Sequence, residues 1–321
     1  MQRPVSLSLD LDNKWSYLKT HGSSGWREFP SYFDTAVPRI LDFLRAQGVR
    51  ITFFIVGQDA ALEKNRGPLR SIADAGHEIG NHSFNHEPWL HLYRDDQIED
   101  ELARAERAII EATGVRVDGF RGPGFSMSRS VLNVLKQRGY RYDATSFPNI
   151  LNPLARAYFF ARSNLSAEEK EQRKALFGSY SDALRPVRPY RWQLDNGSLI
   201  ELPVTTMPFL KLPVHFSYLL YLSKYSRLLA RAYFRFFLAL CRVSRTEPSL
   251  LMHPLDFLGA DDDRDLAFFP GMDMASGLKL EIMSDMFEIL LARFRPVTVG
   301  EHIDLIHGRD DLRLHHPTFS V

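Results

Sequence analysis

The chain has 321 residues, 45% of them hydrophobic and 25% charged, with a formal net charge of +1 and one cysteine, Cys241. This is globular composition. The near-neutral charge gives no general attraction to nucleic acid, and a lone cysteine excludes an internal disulfide framework. The chain is long enough to bury a large core, as two domains or as one α/β barrel.

Strand and helix signals alternate through the first half. Residues 5–11 read as a strand, 37–47 as a helix stopped by Gly48, and the β-branched and aromatic run 50–56 as a buried strand. A short helix over 69–75 ends at Gly76, and residues 78–80 form the next strand. Residues 95–113 spell a long amphipathic helix, with Ile98, Leu102, Ala105 and Ile109 on one face and Gly114 at its end. A strand over 117–121, a helix over 128–138 and a strand over 140–143 follow. This alternation predicts a parallel sheet. Its repetition predicts one (β/α) barrel domain over 1–321, with chemistry at the C-terminal ends of the strands.

The pattern changes between 150 and 248, which reads as a large, partly helical, aromatic-rich insertion. Residues 151–162 are aromatic and Arg-containing, and 166–173 read as an exposed helix. Asp195-Asn196-Gly197 between two apolar runs predicts a hairpin. Residues 213–242 form one amphipathic segment in which Lys224, Arg227, Arg231, Arg235 and Arg242 make a basic stripe among aromatic and aliphatic residues. That pattern fits a helix lying in a membrane interface, a helix covering the barrel with a solvated basic face, or an oligomer contact. Barrel strands return at 249–253 and 296–299.

Met1-Gln2-Arg3-Pro4 runs directly into the first strand without the pattern of an export signal. No uninterrupted apolar run reaches the roughly 18 residues of a spanning helix. The expected location is cytoplasmic, peripheral to the inner face of the membrane.

The chemistry is concentrated at predicted strand ends. Asp10 and Asp12 close the first strand; residues two apart in a strand share a face, so both carboxylates can face one pocket. Gly80-Asn81-His82-Ser83-Phe84-Asn85-His86 carries two imidazoles four residues apart beside a hydroxyl. Two His and one carboxylate are a common ligand set for a divalent metal with an open position. Arg121, Asp143 and His253 also fall at or just past strand ends. Each has a plainer reading: turn caps for Asp10, Asp12, Asp143 and Ser83, an ion-pair partner for Arg121, a core histidine for His253.

In order, Ser8–Asn13, His82–His86, Arg121-Gly122-Pro123-Gly124-Phe125, Tyr142–Ser146 and Leu250–Pro254 resemble the five motifs of the NodB-like polysaccharide deacetylases, carbohydrate esterase family four. The Asp-x-Asp form of the first motif is similar to that of a subgroup that includes lipid-linked aminoarabinose deformylases and some peptidoglycan deacetylase relatives. The resemblance covers roughly 5–150 and 249–300 and leaves out the insertion. It implies a distorted (β/α) barrel that removes acetyl or formyl groups from amino sugars by metal-assisted amide hydrolysis, in envelope glycan or lipid-linked sugar synthesis.

By that resemblance Asp12, His82 and His86 bind a divalent metal, zinc first, with iron, cobalt or nickel also suited to the ligands. Asp10 is the general base, Arg121 pairs with it and holds it ionised, His253 is the general acid, and Asp143 orients His253. The backbone N–H near Gly124 helps bind the oxyanion, and Phe125 forms a pocket wall. Ser83 is a hydroxyl able to orient a metal ligand. Trp15 and Trp89, close behind the metal motifs, offer rings for sugar stacking, or core and rim packing. The expected substrate is an amino sugar, linked to polyprenyl phosphate and reached at a membrane through 213–242. The other readings are a cyclic-amide hydrolase similar to allantoinase and a catalytically inactive glycan-binding barrel.

Overall fold

The computed structural model describes residues 2–151 and 183–319. The expected helix at 166–173, and the aromatic stretch 151–162 after its first residue, lie outside the described residues.

The first strand, β1 (Arg3–Leu11), is the centre of the sheet. Val5, Leu7, Leu9 and Leu11 fill one side, and Ser6, Ser8 and Asp10 are buried on the other. The chain then gives α1 (Lys14–His21), α2 (Phe33–Ala46), β2 (Thr52–Ile55), α3 (Gly57–Ala60), α4 (Arg66–Asp74) and β3 (Glu78–Asn81). After these come α5 (Asp95–Thr113), β4 (Gly119–Phe120), α6 (Arg129–Gln137) and β5 (Tyr142–Asp143). Past the undescribed stretch lie β6 (Tyr190–Leu194), β7 (Gly197–Glu201), α7 (Phe216–Ser223), α8 (Arg227–Val243) and β8 (Ser249–Met252). The described chain ends with α9 (Ser276–Leu291), β9 (Phe294–Val297), α10 (Val299–Ile306) and β10 (Leu314–His315).

Strands are ordered β10-β6-β7-β5-β4-β3-β2-β1-β8, with β9 also on β1. All pairings are parallel except the β6/β7 hairpin, which turns through Asp195 and Asn196 as the Asn-Gly signal predicts. The architecture is mixed α/β, as expected, but no ladder closes a barrel among the described residues. The cause lies at β7, whose two edges are taken by β5 and β6, leaving none for β8. The chain after β7 crosses the gap instead: Thr205 N–H donates to the Ser249 carbonyl, and Ser249 N–H donates to Thr205 Oγ1, each at 2.8 Å. Within the expected insertion, β6 and β7 are therefore part of the sheet, and the stretch after β7 is a bridging loop.

The helices follow their apolar stripes. Helix α5 has the predicted bounds, and α2 begins four residues earlier than predicted because Pro38, near its start, removes one donor without ending it. The segment 213–242 is two helices, broken where Ser226 caps α8 by accepting from Leu229 N–H at 3.2 Å. Its basic stripe is not a free surface. Lys224 pairs with Asp273 at 2.5 Å, Arg227 with Glu281 at 2.6 Å, and Arg231 with Asp285 at 3.7 Å, so much of it faces the acids of α9 and the turn before it. The solvent face of α8 is largely apolar: Leu228 (75% exposed), Leu229, Phe236 and Val243 (77%). Among the described residues no helix is long and apolar enough to cross a membrane.

Candidate active site

Asp12 stands just past the end of β1, and the His82–His86 loop stands just past β3. The Asp12 Oδ1 atom lies 2.9 Å from His86 Nε2 and 3.5 Å from His82 Nε2. The three ligand atoms fall within 4.8 Å of one another, the one such group among the described residues. His82 Nδ1 is 2.6 Å from the Arg121 carbonyl, so that nitrogen carries the proton and Nε2 turns its lone pair toward Asp12. Asp12 Oδ1 and both ring nitrogens of His86 are buried without a hydrogen-bond partner of acceptable angle. Buried polar atoms normally find partners. One carboxylate oxygen and two imidazole nitrogens converging with unused lone pairs fit a divalent cation.

The electrostatics agree. Burial pushes the Asp12 carboxyl up, but His86 and His82 together outweigh it and hold it well below the usual carboxylate range. Burial works against a proton on His82, yet Asp10 and Asp12 raise its pKa above the ordinary value. The locale attracts positive charge.

The loop carrying the histidines is strained and anchored. Ser83 and His86 have φ of 61° and 52°, a left-handed conformation uncommon for such residues. Asn81 shapes the turn by accepting from Ser83 N–H at 2.8 Å. Glu101, buried on α5, accepts from the N–H groups of Phe84 (3.0 Å) and Asn85 (2.9 Å) and from the Asn85 side chain. Sequence reading overlooked Glu101. The signal was a carboxylate on the apolar stripe of α5, between Ile98 and Ala105. Replacing Glu101 with Ala strands two loop N–H groups. The expected cost is about 2–4 kcal/mol of stability, with weaker metal binding and a smaller loss for Glu101→Gln; denaturant unfolding and metal titration check this. The Ser83 hydroxyl, expected to orient a ligand, is buried with no hydrogen-bond partner; it is the Ser83 carbonyl that is used, accepting from Gly57 N–H at 2.8 Å.

Arg121, at the end of β4, is wholly buried. Its Nη1 donates to Asp10 Oδ1 at 2.7 Å and Ser8 Oγ at 2.8 Å, and its Nε donates to the Ala144 carbonyl at 2.8 Å. The guanidinium lies 4.4 Å from the Phe54 ring centroid. That ring fits only because β3 has glycine opposite it: a Cβ on Gly80 would meet Phe54 at 2.5 Å. The expected Arg121–Asp10 pair is thus present beside the ligand cluster.

Asp143 departs from its expected part. It accepts from the Thr145 hydroxyl and pairs with Glu201, and burial raises both carboxyls. Neither Asp143 nor Glu201 hydrogen-bonds His253. The His253 ring faces Ser217 Oγ at 3.3 Å, and its backbone N–H donates to Asp256 Oδ2 at 2.8 Å. The reason is topological: the hairpin places Glu201 of β7 next to Asp143 of β5, while α7 covers the end of β8.

Of its two expected parts, Trp15 takes core packing and not sugar stacking. It is 1% exposed, so it offers no open face to a sugar. Asn13 caps α1 and turns Trp15 inward, where its indole N–H donates to Asp59 Oδ1 at 3.0 Å and its ring stands edge-on to His86 at 6.4 Å. Asp59, a buried carboxyl pushed by burial to about 7, also receives the Asn13 side chain at 2.7 Å and so braces the Asp12 loop from below. Trp89 is half-buried in the loop after His86. Gly124 and Phe125 form a tight turn at φ 58° and 61°. Phe125 stacks on Phe147 at 4.6 Å, Phe147 lies 5.9 Å from His215, and His215 lies 5.7 Å from His253. This aromatic row joins the Arg121 loop to His253.

The family model described as polysaccharide deacetylase matches residues 25–142, which include the histidine loop and Arg121. Over that stretch the chain is similar to the polysaccharide deacetylase domain. A peptidoglycan deacetylase of Helicobacter pylori is 25% identical over 205 residues, covering 60% of this chain and 66% of that protein. The peptidoglycan-N-acetylmuramic acid deacetylase PdaA of Bacillus subtilis is 34% identical over 111 residues, covering 34% of this chain and 41% of that one. The chain therefore spans less than two thirds of the length of these curated relatives. A crystal structure of a candidate polysaccharide deacetylase from Mycobacterium smegmatis covers 100% of this chain and 94% of its own, at a TM-score of 0.64 and 21% identity. That likeness shows a shared fold across the described elements, including those beyond the family match.

Proposed function

We propose that the protein is a metal-dependent amide hydrolase that removes the acyl group from an N-acyl amino sugar of an envelope polysaccharide such as peptidoglycan. The observation that carries this reading is the convergent Asp12–His82–His86 cluster beside the buried Arg121–Asp10 pair. A divalent cation held by Asp12, His82 and His86 would polarise the acyl carbonyl and acidify a water beside it. Asp10, fixed through Oδ1 by Arg121, takes the proton of the attacking water. A backbone N–H of the Gly124 turn faces the developing oxyanion. His253 gives a proton to the departing amine; an imidazole suits that task near neutral pH. Incubating the protein with N-acetylated peptidoglycan fragments tests the reading: wild type should release acetate, and Asp10→Asn should lose about 10²–10⁴-fold in kcat while keeping its metal. Ring opening of a cyclic ureide without released acid would assign the cyclic-amide reaction instead.

We further propose a lipid-linked amino sugar as substrate, N-acetylated or N-formylated and met at the inner face of the membrane. The apolar outer face of α8, with Arg235 and Arg242 along it, supports this better than the basic stripe does. Such a face can lie in a lipid interface with arginines reaching the headgroups. Leu228→Ser with Phe236→Ser should reduce sedimentation with anionic vesicles several-fold and spare acetate release from soluble fragments. Equal sedimentation of the variant and wild type removes α8 as the contact.

A further inference from the structure

His253 follows β8, and two features of this chain rather than Asp143 surround its ring. Its Nδ1 lies 3.3 Å from Ser217 Oγ, in the first turn of α7. The Ser217 hydroxyl also bonds the carboxylate of Asp256, a buried residue whose Oδ2 accepts from the His253 backbone N–H at 2.8 Å. Side chain and main chain of His253 thus converge on one carboxylate, once through a hydroxyl and once directly.

We propose that Ser217 and Asp256 are positioning residues for His253: Nδ1–H donates to Ser217 Oγ, and the Ser217 hydroxyl donates to Asp256. The assignment rests on His253 being the proton donor. With Nδ1 engaged, Nε2 is the ring nitrogen left to face the leaving amine. The proton then passes from Nε2 to the amine nitrogen as its bond to the acyl carbon breaks, the imidazole becomes neutral, and solvent returns the proton. The Asp256 carboxylate behind Ser217 stabilises the charged ring before transfer, the part a carboxylate plays behind a general-acid histidine.

The other titratable neighbours leave this part to Asp256. His215, just before α7, is buried; burial and the charge of His253 keep it well below its ordinary range, so it is neutral and offers no counter-charge. Lys279 of α9 donates to the Leu255 and Leu258 carbonyls at 2.7 and 2.6 Å. It orders the turn that holds Asp256, and it opposes the burial that raises the Asp256 carboxyl. Tyr17 of α1 reaches the same locale with a buried phenol.

The test follows the His253 ring by nitrogen NMR across pH in wild type, Ser217→Ala, Ser217→Thr and Asp256→Asn, with kcat and KM measured in parallel on N-acetylated peptidoglycan fragments. Ser217 is only part-buried, so its alanine variant should fold. In Ser217→Ala the ring should titrate at lower pH and lose its fixed tautomer. Its kcat should fall about tenfold, the low end of what an outer partner is worth, with KM unchanged, and Ser217→Thr should restore both readings. An unmoved ring titration and pH profile in Ser217→Ala overturn the relay. His253→Ala is read separately: full activity there removes His253 as proton donor, whereas the ring signals of Ser217→Ala still decide whether the relay exists.

Discussion

Replacing His82 and His86 together by alanine should release the metal. Purified wild-type protein is expected to hold about one equivalent of a transition metal, and the double variant almost none. Each imidazole supplies a lone pair that nothing else in the fold uses: His82 is pinned through Nδ1 to the Arg121 carbonyl, and His86 has neither nitrogen satisfied. Losing a ligand should cost more than the roughly 10–100-fold in affinity that follows loss of an outer partner. Binding should also be pH-dependent. Metal needs both rings neutral, and Asp10 and Asp12 raise the proton affinity of His82. Protons therefore compete increasingly as pH falls below neutrality, and the affinity should drop over that range and recover on return to about pH 8. In the metal-free protein the sign for Asp12 is the complementary one. Its pKa is depressed, so its contribution to stability is present above the unfolded carboxylate value and lost as the pH falls below it. Elemental analysis and metal titration across pH check the binding, and denaturant unfolding of the metal-free protein across pH checks the Asp12 contribution. Stoichiometric metal in the double variant would put the ion somewhere else.

What made this centre legible in the sequence is local. The alternation of β1 sets Ser8 and Asp10 on one buried side with Asp12 just beyond, and the histidine pair follows directly from the end of β3. Arg121 fell at a strand end by the same logic, even though β4 shrinks to Gly119–Phe120. The helix α5 was readable from its apolar period and its terminal Gly114, which sits at φ 74°.

The misses share a cause. Glu101, Ser217 and the Asp143–Glu201 pair owe their parts to residues far along the chain, and no local pattern encodes which strand edge β7 will occupy. The partners of the basic stripe were unreadable for the same reason, since those of Lys224 and Arg227 sit on α9 and the turn before it, more than forty residues on. Helix α1 was a different kind of miss. Asn13 before it and Gly22 after it are proper capping signals, but its weakly periodic face gave the pattern nothing to find.

The Arg121–Asp10 pair is where stability and activity should separate. Arg121→Met leaves the Asp10 carboxylate buried and without its counter-charge, and it removes the donors to Ser8 and to the Ala144 carbonyl. Breaking one side of a buried pair costs about 3–5 kcal/mol, a large part of the roughly 5–15 kcal/mol that holds a domain folded. Adding Asp10→Asn to Arg121→Met removes that charge outright and should recover much of the lost stability, since replacing both partners of a buried pair is often close to neutral. Activity should not return with it, because the group that takes the water's proton is gone. Denaturant unfolding of the two single variants and the double variant, with acetate release measured on each, reads both quantities. A coupling energy near zero would mean that Arg121 and Asp10 do not depend on one another for stability. Activity regained in the double variant would remove Asp10 from the base role.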